Sequence, residues 1–151
     1  MKFKHKRDMF TLKLIMAMVM VFSALSVQTA TGESYGNAEV TFIKNYDGDT
    51  ITVSIPAYPE IIGKKISIRI NGIDTPEMRG TKGLLKEKAR NAKKLVASLC
   101  RKAKKLELRN MQRGKYFRIV ADVYADGKSV ADALIKNELA KKYDGGTKPV
   151  W

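Results

Sequence analysis

Hydrophobic and polar residues alternate with a period of two in several short stretches, the pattern of half-buried strands. Val40, Phe42 and Lys44 fall on one side of the first, with Thr41 and Ile43 on the other. Beyond Asp47-Gly48, a turn signal, Ile51, Val53 and Ile55 alternate with Thr50, Thr52 and Ser54, so the two runs predict a hairpin. A loop with Pro56, Pro59 and Gly63 leads to a third strand, in which Ile66, Ile68 and Ile70 alternate with Ser67, Arg69 and Asn71. Between Lys82 and Lys102 the spacing becomes helical, with Leu85, Ala89, Ala92, Val96 and Leu99 on one stripe and Lys and Arg on the rest. Leu106 and Leu108 mark a fourth strand, and Phe117, Ile119, Ala121 and Val123 the apolar side of a fifth that ends at Asp126-Gly127. Ser129 is placed to cap a last helix through Val130, Leu134, Ile135 and Leu139.

Three strands, a helix, two strands and a helix predict an α+β fold dominated by β. The expected form is a five-stranded oligonucleotide-binding (OB) Greek-key barrel with two packed helices, because closure removes the exposed strand edges. That domain is expected over residues 38–151, after a loose leader at 33–37. Residues 1–32 predict a secretory signal: Lys2, Lys4, Lys6 and Arg7 precede an apolar run from Leu14 to Val27, with small residues after it. The run is about 14 residues, short of the roughly 20 needed to span a bilayer, so removal is expected rather than anchoring. Ser26 and Gly32 both suit cleavage. The mature protein would be secreted or periplasmic, with no stable membrane anchor and a monomeric state.

Charge narrows the partners. The chain has 29 Lys plus Arg against 15 Asp plus Glu, a net charge of +14. Loss of the signal removes five basic residues and one acidic residue and leaves about +10. Such a surface attracts polyanions, with nucleic acid foremost, although anionic membranes and acidic polymers fit the same balance. The single histidine, His5, lies within the signal, and Cys100 is the single cysteine. Disulfides within the chain, Cys/His zinc sites and histidine-based catalysis are therefore excluded, and Cys100 reads as a buried helical thiol.

Chemistry is left to carboxylates, Arg, Lys and Tyr. Asp49 shares the parity of Ile51 and Val53, which turns its carboxylate inward at a barrel mouth, where it needs a cation or strong hydrogen bonds. Asp74 opens Asp74-Thr75-Pro76-Glu77 just beyond the third strand. Oxygen donors would suit Ca²⁺ or Mg²⁺, yet spacing alone favours an ordinary Asp-Gly turn and an ordered Pro loop over a metal site. Arg69 and Arg118 lie on the strand faces opposite their apolar neighbours, so both guanidinium groups are expected to leave the core, where they could hold a phosphate.

Tyr46-Asp47-Gly48-Asp49-Thr50, Arg69 five residues before Asp74-Thr75-Pro76-Glu77, and Lys115-Tyr116-Phe117-Arg118 ahead of Tyr124-Ala125-Asp126-Gly127 together resemble the thermonuclease (staphylococcal nuclease-like) family. The resemblance spans about Val40 to Ala140, with Phe117 standing where the family commonly has Gly. It implies an OB barrel and Ca²⁺-dependent hydrolysis of DNA and RNA that leaves 3′-phosphates. It further implies metal ligation by Asp49, Asp74 and the Thr75 carbonyl, catalysis by Arg69, Glu77 and Arg118, and nucleic-acid contacts from Lys115, Tyr116 and Tyr143. Two other readings explain the charge: a noncatalytic nucleic-acid-binding barrel, and a basic exported protein that binds membranes or acidic polymers.

Overall fold

The computed structural model describes residues 34–151, and the expected signal, residues 1–32, lies outside the described residues. The strands are β1 (Ala38–Glu39), β2 (Thr41–Asn45), β3 (Thr50–Ser54), β4 (Ile66–Ile70), β5 (Ile73–Asp74), β6 (Leu106–Arg113), β7 (Ile119–Ala125), β8 (Lys128–Ser129) and β9 (Lys141–Lys142). The helices are α1 (Glu60–Gly63), α2 (Gly83–Lys102) and α3 (Val130–Lys136). Among the described residues no helix is long and apolar enough to cross a membrane.

The main sheet runs β1-β6-β7-β4-β3-β2. Only Val40 separates β1 from β2, so one run of chain pairs with β6 at its start, Ala38 opposite Leu108, and with β3 along the remainder. The two outer edges therefore belong to a single strand, and the sheet curls into the predicted five-stranded barrel. Parallel pairing of β4 with β7, Ile68 opposite Ile119, gives it a Greek-key rather than a meander topology. Inside lie Ile51, Val53, Ile68, Ile70, Leu108 and Val123, each essentially without solvent contact. Burying a side chain of this size stabilises the fold by about 1.5–3 kcal/mol.

One bulge decides what faces the site. The β2–β3 register shifts between Phe42 and Lys44, so Ile43 is the extra residue and is exposed. Simple alternation put Lys44 with Val40 and Phe42; the bulge instead turns Lys44 to solvent and Asn45 inward. Buried Asn45 donates from Nδ2 to the Asp47 carbonyl at 2.8 Å and to the Lys93 carbonyl of α2 at 2.9 Å. That pair of bonds ties the Tyr46–Asp49 loop to the helix.

Helix α2 covers the barrel with Ala89, Ala92, Val96 and Cys100. Burial pushes the Cys100 thiol up to about 12, which keeps it protonated and inert. In α3, Ser129 caps as expected, its Oγ accepting from the Asp132 amide at 3.1 Å. Two stretches differ from the sequence pattern. Phe117 belongs to a 3₁₀ turn, Lys115–Phe117, and the strand begins at Ile119. Ahead of β1, the segment expected as a loose leader bonds to β6: the Tyr35 amide donates to the Met111 carbonyl at 2.8 Å, and Asn37 Oδ1 accepts from the Asn110 amide at 3.0 Å.

Gly48 sits where α2 meets the loop. A Cβ there would lie 2.6 Å from the Ala92 Cβ and 2.9 Å from Thr75 Cγ2, so this glycine is required by space rather than by backbone conformation. Gly48→Ala is expected to lower stability by about 1–3 kcal/mol through overpacking. Urea unfolding checks this, and an unchanged midpoint would show that the helix does not hold the loop in place.

Candidate active site

Asp49 lies one residue ahead of β3 and is held on β4 by its own carbonyl, which accepts from the Ile70 amide at 2.8 Å. Its inward parity buries the carboxylate at the barrel rim. Asp49 Oδ1 meets Arg69 NH1 at 2.6 Å and accepts from the Thr50 hydroxyl at 3.0 Å, while Oδ2 accepts from the Thr75 amide at 3.2 Å. Asp74, on β5, is buried as well. Its Oδ1 faces Arg69 NH2 at 3.4 Å and Lys148 Nζ at 3.6 Å, and its Oδ2 accepts from Trp151 Nε1 at 2.9 Å.

Arg69 corrects one expectation. Its side chain starts on the outer face of β4 but folds over the rim, leaving 15% exposed, and NH2 donates to the Ile73 carbonyl at 3.0 Å. Two buried carboxylates would be costly without a cation, which accounts for the direction the guanidinium takes. Burial acts to lower the Arg69 pKa, but the charges of Asp49 and then Asp74 outweigh it, and the net shift is upward. Tyr143 flanks the group, with the guanidinium carbon 5.6 Å from the ring centre. Asp47, also buried, accepts from the Asp49 amide at 3.1 Å, and burial followed by the Asp49 charge pushes its carboxyl up to about 6.

A cleft of about 520 Å³ opens over this rim, lined by Asp49, Arg69, Glu77, Arg118, Tyr143 and Lys148 among others. Asp74 and Thr75 join it through their bonds to Arg69 and Asp49. Glu77 is exposed, and its Oε1 accepts from Lys148 Nζ at 2.6 Å, a bond that raises the lysine's pKa. Seven of the nine candidate residues thus gather at one end of the barrel. Tyr116 instead lines a neighbouring groove, and Lys115 is exposed and lines neither.

The donors suit a hard cation. Asp49 and Asp74 offer oxygen alone and already share one cationic partner, Arg69, which is the convergence a bridging ion would need. Among the described residues no three His, Cys, Asp or Glu side chains gather to hold a metal. An ion here would take two carboxylates, with backbone oxygen and water completing its shell.

The profile of the staphylococcal nuclease homologue family matches residues 67–149. The chain belongs to that family. Among curated proteins it is 36% identical to Endonuclease YncB of Bacillus subtilis over 104 residues, which is 68% of this chain and 46% of that protein. It is 35% identical over 105 residues to the SPbeta prophage-derived endonuclease YokF of the same organism, covering 68% of this chain and 33% of the relative. A staphylococcal-like nuclease of Arabidopsis thaliana is 34% identical over 84 residues, 56% of this chain and 24% of the plant protein. The chain therefore spans less than half the length of these relatives. The family match begins within β4 and leaves Asp49, which precedes β3, outside it.

Lys148 and Trp151 are members of the site that sequence reasoning missed. They lie in an irregular tail with no periodicity, and they arrive because β5 and β9 pair, Asp74 opposite Lys141, and because the Tyr143 amide donates to the Gly72 carbonyl at 3.0 Å. Trp151 is then flanked by Lys141 and Lys88, at 4.8 and 5.7 Å from its ring centre. Asp47 was visible in its motif, but its burial depends on the Asn45 anchor.

If Arg69 is the counter-charge for both carboxylates, Arg69→Met should lower stability by about 2–4 kcal/mol, since it leaves buried charge unpaired. Adding Asp49→Asn should restore part of that loss. Denaturant unfolding of the single and double variants measures the coupling, and strictly additive losses would contradict it.

Proposed function

We propose that this chain is an exported, Ca²⁺-dependent nuclease that hydrolyses phosphodiester bonds of DNA and RNA and leaves 3′-phosphate ends. One observation carries the reading: Asp49 and Asp74 converge on a single cation at the rim of a cleft that also presents Glu77, Arg69 and Arg118. The endonuclease names of the bacterial relatives support hydrolysis, and the charge of +14 supports a polyanionic substrate. The basic, apolar start of the chain supports export.

Asp49, Asp74 and the Thr75 carbonyl would hold the ion, and a bound hard divalent cation would polarise a phosphoryl oxygen. The remaining work falls to side chains. Glu77 stands at the open side of the cleft, free to accept a proton from the attacking water once Lys148 yields its carboxylate. Arg118 and the outer edge of Arg69 hold the phosphoryl oxygens and stabilise the charge that grows on them in the five-coordinate transition state. Tyr143 limits water at the guanidinium and offers a face to a sugar or base.

Glu77→Gln should keep nucleic-acid affinity while turnover falls by about 10²–10⁴, the usual size of a general-base contribution. Arg118→Ala should cost about 10²–10³ in rate. A gel assay of single-stranded DNA and RNA with Ca²⁺, and with Ca²⁺ plus chelator, tests both variants and the ion together. Full activity in chelator would reject the ion's role, and parent-like turnover in Glu77→Gln would reject its role as base.

A further inference from the structure

Beside the candidate active site, and continuous with it through Ser67 and Arg118, which line both, runs a second groove of about 1020 Å³. Its walls carry Tyr35, Tyr58, Tyr116 and Ile62 together with the cations Lys65, Arg113 and Arg118, and no acidic residue lines it. The contrast with the neighbouring cleft is one of charge: Asp47, Asp49 and Glu77 belong to that cleft and not to this groove. Its tyrosines and Ile62 face solvent, with Tyr116 94%, Tyr35 63%, Ile62 59% and Tyr58 37% exposed.

The groove is built rather than left over. Tyr58 and Ile62 belong to the Pro56–Lys65 connection, where α1 locks against the end of β3: the Ile55 amide donates to the Gly63 carbonyl at 2.8 Å and the Gly63 amide to the Pro59 carbonyl at 2.8 Å. A Cβ on Gly63 would lie 2.7 Å from the Ile55 carbonyl and 3.0 Å from the Tyr58 Cβ, so the connection is packed tightly around the tyrosine. Among the described residues, two of the five non-glycine residues with left-handed backbone, Lys65 (φ 56°) and Tyr116 (φ 58°), also line the groove. Neither residue type favours that conformation, and such strain tends to persist where a side chain must be presented in one direction.

Resting on the nuclease reading, we propose that this groove is a base-stacking subsite. It would seat the single strand on one side of the scissile phosphate, with bases on Tyr35, Tyr58 and Ile62 and phosphates on Lys65 and Arg113. Aromatic faces interleaved with cations suit single-stranded nucleic acid, whose bases all offer a π-face and whose backbone is anionic. Continuity with Arg118 places the bound strand in line with the phosphate to be opened.

The test compares the protein with Tyr58→Ala and Ile62→Ala, both on an exposed connection away from the catalytic cleft. Binding of a fluorescent 12-nucleotide single strand is followed by anisotropy in chelator, and cleavage of a dinucleotide with one phosphodiester is followed with Ca²⁺. Loss of one stacked base should weaken 12-mer binding about 10-fold, while dinucleotide cleavage stays at the parent level. Parent-like 12-mer affinity in both variants would overturn the subsite. So would an equal loss on the dinucleotide, which would make the effect one on the cleft. Sedimentation with phosphatidylserine vesicles is a third arm: vesicle binding that depends on Ile62 and Tyr58, with oligonucleotide binding unchanged, would assign the surface to a membrane and overturn the proposal. Absence of cleavage by the parent, with 12-mer binding still dependent on Tyr58, would sink the nuclease reading and leave the subsite standing.

Discussion

Two carboxylates that share one cation at the rim of a barrel constrain much of this molecule. Asp49 and Asp74 are both withdrawn from water, and the Arg69 guanidinium between them offsets the cost of burying two carboxylates side by side. To supply it, Arg69 leaves the direction its strand gives it. Around it the structure adds bonds that fix the acids: Thr50 and the Thr75 amide on Asp49, Trp151 on Asp74, and the Asp47 loop held to α2 by Asn45. The barrel supplies the geometry, because β3 and β4 are neighbours and β5 follows β4 after a two-residue turn.

The same rim explains why acids and bases coexist so closely. Burial, followed by the Asp49 charge, raises the Asp47 carboxyl, while bonds to Asp49 and to Glu77 raise the pKa values of Arg69 and Lys148. The adjoining groove differs, since cations and tyrosines are among its lining and no acidic residue is. The net positive charge draws polyanions to the protein, and the cleft sets acidic oxygens beside the cations of the groove.

Most of the fold was legible in the chain, for physical reasons that can be named. Strict alternation at Ile51–Ile55 and Ile66–Ile70 reports half-buried strands, the stripe from Ala89 to Val96 reports a helix covering them, and Ser129 supplies its own capping bond. Asp49 was legible because its parity matches that of buried neighbours. Alternation could not reveal the bulge at Ile43, which changes parity without changing composition, or the 3₁₀ turn that removes Phe117 from its strand. Parity gave the outer face for Arg69 but not the bend of a long side chain over a strand end. Lys148 and Trp151 reach the site through a tail whose course is set by tertiary pairing with β5, and no local pattern encodes that.

On the proposed function, Asp49 and Asp74 act as one cation site. Trp151, the chain's single tryptophan, donates to Asp74 and so reports on it directly. Titrating Ca²⁺ into the protein while its tryptophan fluorescence is recorded should give a saturable change that disappears in Asp49→Asn as well as in Asp74→Asn. The same midpoint in the parent and either variant would contradict a shared site.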